Sequence, residues 1–306
     1  KLLYKYMLQE DTISGEELCL VLYEQGVLSK EDELYQTMVS GGLDAYTFMY
    51  RKIASLEITP AQLALAPCSA SAVITDTSTG DVLACVSYPG YDNNRLTNNM
   101  DTDYYAKLST DLSSPFFNKA TQQRTAPGST LKILSTIAGM SEGVIDDNTY
   151  IDCTGSFDLV TPPINCWNKQ GHGSLDIREA IEQSCNVFFT TIGFELGKDS
   201  EGNFSEARSL GMLQKYASLI GLDKKTGIEI SEASPQISDK NAVPSYIGQG
   251  TNVFTTSQLA RYATAIATSG TIYKLSLLNR VTDSKGTLIK EYPSETEGQL
   301  DISSNI

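Results

Sequence analysis

The sequence predicts an α+β fold, an antiparallel sheet flanked by helices and preceded by a helical N-terminal segment. Three observations carry this. Apolar residues recur at helical spacing through about the first sixty positions. From Ser69 the apolar period drops from about 3.6 to 2, the mark of strands with one buried face. A strand pair, then helices, then strands again is the segregated order of an α+β chain.

Taken in order, Ser14 and Glu17 form a capping box ahead of the apolar run Leu18, Leu20, Val21 and Leu22. Ser29 opens a second helix with Glu31 and Asp32 in its first turn, where the helix dipole favours negative charge. Gly41-Gly42 breaks it, Tyr46 to Leu56 resumes a helical pattern, Thr59-Pro60 starts another turn and Pro67 closes the region. Residues 1–66 thus read as a helical linker or pedestal without chemistry. Ser71 to Asp76, the turn Thr77-Ser78-Thr79-Gly80, and Asp81 to Ser87 read as a β-hairpin. Asn93 to Asn118 reads as a long irregular loop. Pro127-Gly128 introduces a helix from Ser129 to Met140, stopped at Gly143. Ser174 caps a helix ending near Gln183, Ser184-Cys185-Asn186 interrupts it, and Val187 to Leu196 continues. Ser257 to Thr268 is a further helix, and the last forty or so residues read as strands and turns.

The 306 residues are enough for a substantial core, and a net charge of -14 argues against nucleic acid as a partner. No run approaches the roughly 18–20 apolar residues needed to span a bilayer. Six cysteines, Cys19, Cys68, Cys85, Cys153, Cys166 and Cys185, form no C-x-x-C pair, and His172 is the single histidine. No metal site and no cofactor is therefore expected. Most of these cysteines read as small buried hydrophobes. Cys153 and Cys166 bracket a hairpin-like segment and are candidates for a disulfide if the protein is exported. Trp167 reads as core packing, and His172 as a loop residue with structural hydrogen bonds.

Chemistry enters at Ser129-Thr130-Leu131-Lys132. Positions three apart share a helix face, so a hydroxyl and an amine can meet there. A serine is a poor nucleophile until a base takes its proton, and a neutral lysine can do so. Alone, the bare pattern reads as a capping serine and a surface lysine. Its place after Pro127-Gly128, at a helix start whose N–H groups can face a developing oxyanion, favours the catalytic reading. Ser184-Cys185-Asn186 adds a second hydroxyl and a carboxamide.

With their surroundings these segments resemble the transpeptidase domain of class B penicillin-binding proteins. The resemblance rests on Ile74-Thr75-Asp76, Gly80 to Ala84, Ser87 to Asp92, Arg124 to Lys132, Gly171-His172-Gly173, Ser184 to Phe189, Ile247 to Gly250 and Thr256 to Ala260, all in register. It implies the penicillin-binding protein/serine β-lactamase-like fold over 67–306. It also implies that Ser129 attacks the carbonyl between the terminal D-alanines of a peptidoglycan stem peptide. Lys132 would accept the proton, Ser184 would pass it towards the departing D-alanine, and Asn186 would hold the acyl donor and Lys132. Implied partners are stem peptides, β-lactams and other cell-wall synthesis or division proteins. The implied location is the extracytoplasmic face of the membrane, reached through an anchor absent from this otherwise soluble chain.

One departure stands out. The chain's K-T-G, Lys225-Thr226-Gly227, precedes Ile247 to Gly250, whereas the family's third motif follows that segment. Residues 225–227 therefore read as a turn into a strand, and the chain is expected to be C-terminally incomplete and weakly active or inactive alone. The alternatives are a D,D-carboxypeptidase or serine β-lactamase, which share S-x-x-K, and a non-catalytic scaffold. No E-x-x-L-N segment follows Asn186 to supply a lactamase's deacylating base.

Overall fold

The computed structural model describes residues 6, 7, 10, 12–58 and 69–303. The turn at Thr59-Pro60, the stop at Pro67 and Cys68 lie outside the described residues. The chain divides into two compact units: Lys1–Ala70 with Tyr88–Phe116, and Ser71–Ser87 with Phe117–Ile306.

In the first unit, α1 (Gly15–Glu24) carries the capping box read from sequence. The Glu17 N–H donates to Ser14 Oγ at 3.1 Å and the Ser14 N–H to Glu17 Oε2 at 2.8 Å. α2 (Glu33–Val39) starts later than expected, because Asp32 rather than Ser29 caps it, accepting from the Leu34 N–H at 2.9 Å. Ser29 caps only the local turn at Glu31. α3 (Ala45–Ala54) is capped by Asp44. The three helices bury Cys19, Leu22, Tyr23, Met38 and Phe48. Lys52 is 4% exposed and ion-paired with Asp32, which also accepts from Tyr23 Oη at 3.1 Å. The expected irregular loop after Asn93 is partly wrong: it contains a 3-10 turn, Asn93–Arg95, and α4 (Thr102–Thr110), capped by Asp101. Only Leu108 of α4 is buried, so no apolar stripe announced it.

The second unit holds the hairpin β1 (Ala70–Thr75) and β2 (Val82–Tyr88), as read, then α5 (Lys132–Ser141). The short strands β3 (Ile151–Cys153), β4 (Ser156–Phe157), β5 (Ile164–Asn165) and β6 (Gly173–Leu175) follow. Next come α6 (Ile177–Glu182), α7 (Asn186–Leu196), α8 (Glu206–Leu219), α9 (Ala242–Ser245) and α10 (Thr256–Ala267). β7 (Thr271–Tyr273), β8 (Arg280–Thr282), β9 (Leu288–Glu291) and β10 (Thr296–Gln299) close the unit. Among the described residues the strands form separate pairs, β1-β2, β3-β6, β4-β5, β7-β10 and β8-β9, rather than one continuous sheet. The hairpin meets Ser276 through a single parallel bridge at Asp81.

α7 is the core helix. Val187, Phe188, Phe189, Ile192 and Leu196 are all buried, against Leu131, Leu134 and Ala138 from the α5 side. A helix apolar on nearly every side is stable only inside a protein. Its entry is fixed by α6, whose cap is Asp176, in a box with Glu179; the expected cap, Ser174, instead lies in β6. Ser174 is thus paired in a strand, opposite Asp152.

Candidate active site

The site starts from a backbone clamp. Thr125 and Phe254 exchange N–H···O=C bonds at 2.9 Å, and the Gly128 N–H donates to Gly248 O at 3.1 Å. Gly248 has φ +73°, and a Cβ there would lie 1.9 Å from Gly128 O, so only glycine permits the approach. The clamp forces Gly128–Leu131 into a 3-10 turn, and the α-helix begins only at Lys132. Ser129 is therefore on the turn rather than inside the predicted helix. The consequence for the side chains is small, since residues three apart eclipse one another in a 3-10 turn. Buried Tyr262 holds the turn, its hydroxyl donating to Thr130 O at 3.1 Å and accepting from the Leu134 N–H at 3.0 Å.

The opposite wall is the α6–α7 junction. Ser184 adopts φ +48°, a left-handed conformation that costs a non-glycine residue about 1–3 kcal/mol. That bend turns both its carbonyl and its hydroxyl onto Lys132. Lys132 Nζ donates to Ser184 O at 2.7 Å, Ser184 Oγ at 3.0 Å and Asn186 Oδ1 at 2.8 Å. Ser184 Oγ in turn donates to Ser129 Oγ at 3.0 Å. Asn186 Nδ2 donates to Asn165 O at 3.0 Å, which sets the amide with its oxygen towards the lysine.

All four residues expected from the sequence are thus brought together. The link from Lys132 to Ser129 runs through Ser184. Ser129 is exposed, whereas Lys132 is 3% exposed and lies 5.5 Å from the Phe189 ring centroid. Burial lowers its amine from the usual 10.5 to about 8, against the opposing pull of the Cys166 and Cys185 thiols. Tyr262 and Asn165 were not expected at the site, since neither lies in a recognisable motif. Beside the site lies a cleft of about 680 Å³ lined by Val160, Pro162, Asn165, Phe204, Ile247 and Gln249. Two of its walls belong to the site, through Asn165 and the neighbours of Gly248.

Behind the S-x-N turn lies a group of cysteines that includes the candidate disulfide pair. Cys153 and Cys166 are free thiols, not a disulfide. They instead converge with His172 and Cys185, one ligand atom from each lying within 4.8 Å of the others. The Sγ atoms of Cys166 and Cys185 are 4.0 Å apart, and Cys166 Sγ is 3.7 Å from His172 Nδ1. A tetrahedral zinc ion with Zn–S bonds near 2.3 Å would set its sulfurs ~3.8 Å apart, so the donor set fits. His172 bonds Cys166 through Nδ1, while its Nε2 is buried without a hydrogen-bond partner. Metal ligands were not expected because they are spread along the chain without a zinc-finger spacing; the β3–β6 pairing, with Cys153 opposite Gly173, closes that distance. Burial raises Cys166, but N–H groups of Asn186, Asn168 and Val187 outweigh it and lower the thiol overall. Trp167 is not core: it is 64% exposed, its ring against His172 and its Nε1 donating to Gln183 O at 2.8 Å.

The K-T-G at 225–227 does not lead into the expected strand: residues 225–230 are irregular, because side-chain and loop contacts rather than a strand partner take up their backbone groups. The Thr226 N–H donates to Glu232 Oε2 at 2.8 Å, and Thr226 O accepts from the Leu275 N–H.

An exposed serine on a helix-entry turn, joined through a second serine to a buried amine, is the S-x-x-K, S-x-N arrangement read from the sequence. Residues 70–306 match the sequence profile of the penicillin binding protein transpeptidase domain, and the chain belongs to that family. It is 29% identical over 238 residues to the peptidoglycan D,D-transpeptidase MrdA of Haemophilus influenzae, covering 72% of this chain and 34% of that protein. It is 32% identical over 170 residues to MrdA of Escherichia coli K12, covering 55% of this chain and 25% of that protein. The chain thus spans about a third or less of these relatives. Among solved structures, penicillin-binding protein A of M. tuberculosis, as its imipenem acyl-enzyme, aligns with a TM-score of 0.66 at 22% identity. That alignment covers 76% of this chain and 54% of the other and shows the shared fold.

Proposed function

We propose that this chain carries the acylation machinery of a peptidoglycan D,D-transpeptidase acting on the outer side of the cytoplasmic membrane. Neutral Lys132 accepts a proton from Ser184 Oγ as Ser184 accepts that of Ser129. Ser129 Oγ then attacks the carbonyl between the terminal D-alanines. The Ser129 N–H, at the start of the turn, would stabilise the oxyanion. The proton returns along Ser184 to the leaving D-alanine nitrogen, and an acyl-serine remains. An amine of a second stem peptide attacks that ester, forms the cross-link and frees Ser129. A β-lactam opens on the same serine but leaves no departing group. Asn186 orients the donor peptide and holds Lys132, and the neighbouring cleft offers room for the stem. Zinc, if bound by Cys153, Cys166, His172 and Cys185, would supply structural bracing of the S-x-N turn. Other cell-wall synthesis proteins are proposed partners.

The observation that carries this reading is the Lys132–Ser184–Ser129 hydrogen-bond line, with bonds of 3.0 Å at each step. The test is fluorescent penicillin with the full-length protein. A covalent adduct on Ser129, lost in Ser129→Ala, is expected. Rapid release of hydrolysed penicillin would point to a lactamase instead, and an adduct that survives Ser129→Ala would overturn the assignment.

A further inference from the structure

Where the catalytic turn gives way to helix, one hydroxyl stands inside the backbone ladder. In a continuous α-helix the Leu134 N–H would donate to Thr130 O, four residues back. Instead it donates to the Tyr262 hydroxyl at 3.0 Å, and that hydroxyl donates to Thr130 O at 3.1 Å. Ahead of this point the turn keeps a 3-10 bond, from the Lys132 N–H to Ser129 O. A side chain inserted into an i→i−4 ladder is enough to break its regularity. Tyr262 is 4% exposed, and a phenylalanine would fill the same space while leaving the two backbone groups to bond each other. The hydroxyl is therefore dispensable for burial and consequential only for the backbone. Burial raises the ionisation of the phenol, so it keeps the proton it donates.

The tyrosine is fixed from behind. α10 starts at a capping box of Thr255 with Gln258. One residue before Tyr262, Arg261 is 1% exposed and donates to the carbonyls of Gly221, Lys224 and Lys225. Neither the height nor the rotation of α10 is thus free, and the hydroxyl stays at the junction. The Gly128–Gly248 clamp sets where the turn begins, and Tyr262 sets where it ends. The two helical forms differ at the nucleophile. A 3-10 residue turns the chain by about 120° and an α residue by about 100°, so each step converted swings Ser129 by ~20° relative to Lys132. Three steps give ~60°, a displacement of ~2.3 Å at the Cα. The two residues would still share a face, but the 3.0 Å bond from Ser184 Oγ to Ser129 Oγ does not survive such a shift.

We propose that Tyr262 is a positioning residue for the nucleophile. Standing between the Leu134 N–H and Thr130 O, its hydroxyl stops the α-helical ladder of α5 from running back into the turn, and so holds Ser129 Oγ against Ser184. The hydroxyl is bonded to backbone alone and acts only through the turn. Without it the two backbone groups close on each other, α5 lengthens at its start and the relay opens at Ser129. Lys132 keeps Ser184 O and Asn186 Oδ1 as acceptors, so the base is unchanged while its link to the nucleophile is lost. The effect on acylation rests on the transpeptidase reading, whereas the form of the turn does not.

The test is Tyr262→Phe in the full-length protein, which removes one oxygen and leaves the ring. Single-turnover labelling with fluorescent penicillin at several concentrations separates initial binding from acylation. The expected result is an acylation rate constant lower by about 10²-fold, the cost of a ~1 Å misplacement, with initial binding and the thermal midpoint little changed. The pH profile should keep its midpoint at about 8, because Lys132 is undisturbed. A hydroxyl with a merely structural role would instead lower the thermal midpoint and leave the rate constant alone. Para-aminophenylalanine at position 262, whose amine both donates and accepts, should restore most of the rate. A crystal structure of the Tyr262→Phe protein should show the Leu134 N–H bonded to Thr130 O and Ser129 Oγ out of reach of Ser184 Oγ. Acylation at the unsubstituted rate, a slow variant that the amine does not rescue, or a turn that keeps its 3-10 form overturns the proposal. A variant too unstable to label overturns it as well, since the ring alone should hold the fold. Failure of the unsubstituted protein to label overturns the transpeptidase reading, and the crystal structure then decides by itself whether Tyr262 sets the turn.

Discussion

If Lys132 is the base, acylation should follow its protonation state, and the site gives the expected size. Burial lowers the amine from 10.5 to about 8. At pH 7 about one lysine in ten is then neutral, against roughly three in ten thousand for an unperturbed one, a gain of ~300-fold or ~3 kcal/mol. Because the base form is the reactive one, the labelling rate should rise about tenfold per pH unit below the midpoint and level off above pH ~8. The same depressed value means the fold carries the penalty of a buried charge at low pH. That penalty fades as pH rises from about 8 towards the unfolded value near 10.4, so stability increases across this window. The measurement is single-turnover labelling of the full-length protein by fluorescent penicillin between pH 6 and 10 at constant ionic strength. A flat profile, or a midpoint near 10.5, would refute the idea that a desolvated Lys132 drives attack.

Other substitutions separate relay from scaffold. Ser184→Ala removes the middle oxygen but leaves Lys132 held by the residue-184 carbonyl and Asn186 Oδ1, so acylation should fall ~10²–10³-fold with little loss of stability. Single-turnover labelling beside thermal unfolding checks this, and equal loss in both would mean the serine is only structural. In the first unit, Lys52→Ala leaves Asp32 buried and unpaired and should cost about 3–5 kcal/mol. Asp32 is held below the usual carboxylate range because Lys52, the Leu34 N–H and Tyr23 outweigh burial, which raises it. The stability it contributes is therefore present above about pH 4 and lost as pH falls through its lowered value. Hydrogen exchange resolved to α1–α3 should report faster exchange there and unchanged protection in α7.

Local signals were the legible part of this fold. The Ser14–Glu17 box, the hairpin around Gly80 and the helix at Ser257 form where the sequence placed them, because caps, turns and alternation act over a few residues. Asp32 and Asp176 displaced the expected caps Ser29 and Ser174 because each places its carboxylate on the first free N–H groups of its helix. α4 was missed because it hides almost no apolar surface.

The sequence by itself determined the family, through motifs in register, and put a hydroxyl and an amine three residues apart at Ser129 and Lys132. The tertiary structure alone decided that the two communicate through Ser184, 55 positions from Ser129. It alone gathered three cysteines and the single histidine into one donor set. Spacing along the chain encodes contacts only within a turn or two of a helix. Those between distant segments are set by the Gly128–Gly248 clamp, the β3–β6 pairing and the buried α7, which burial of apolar surface holds in place.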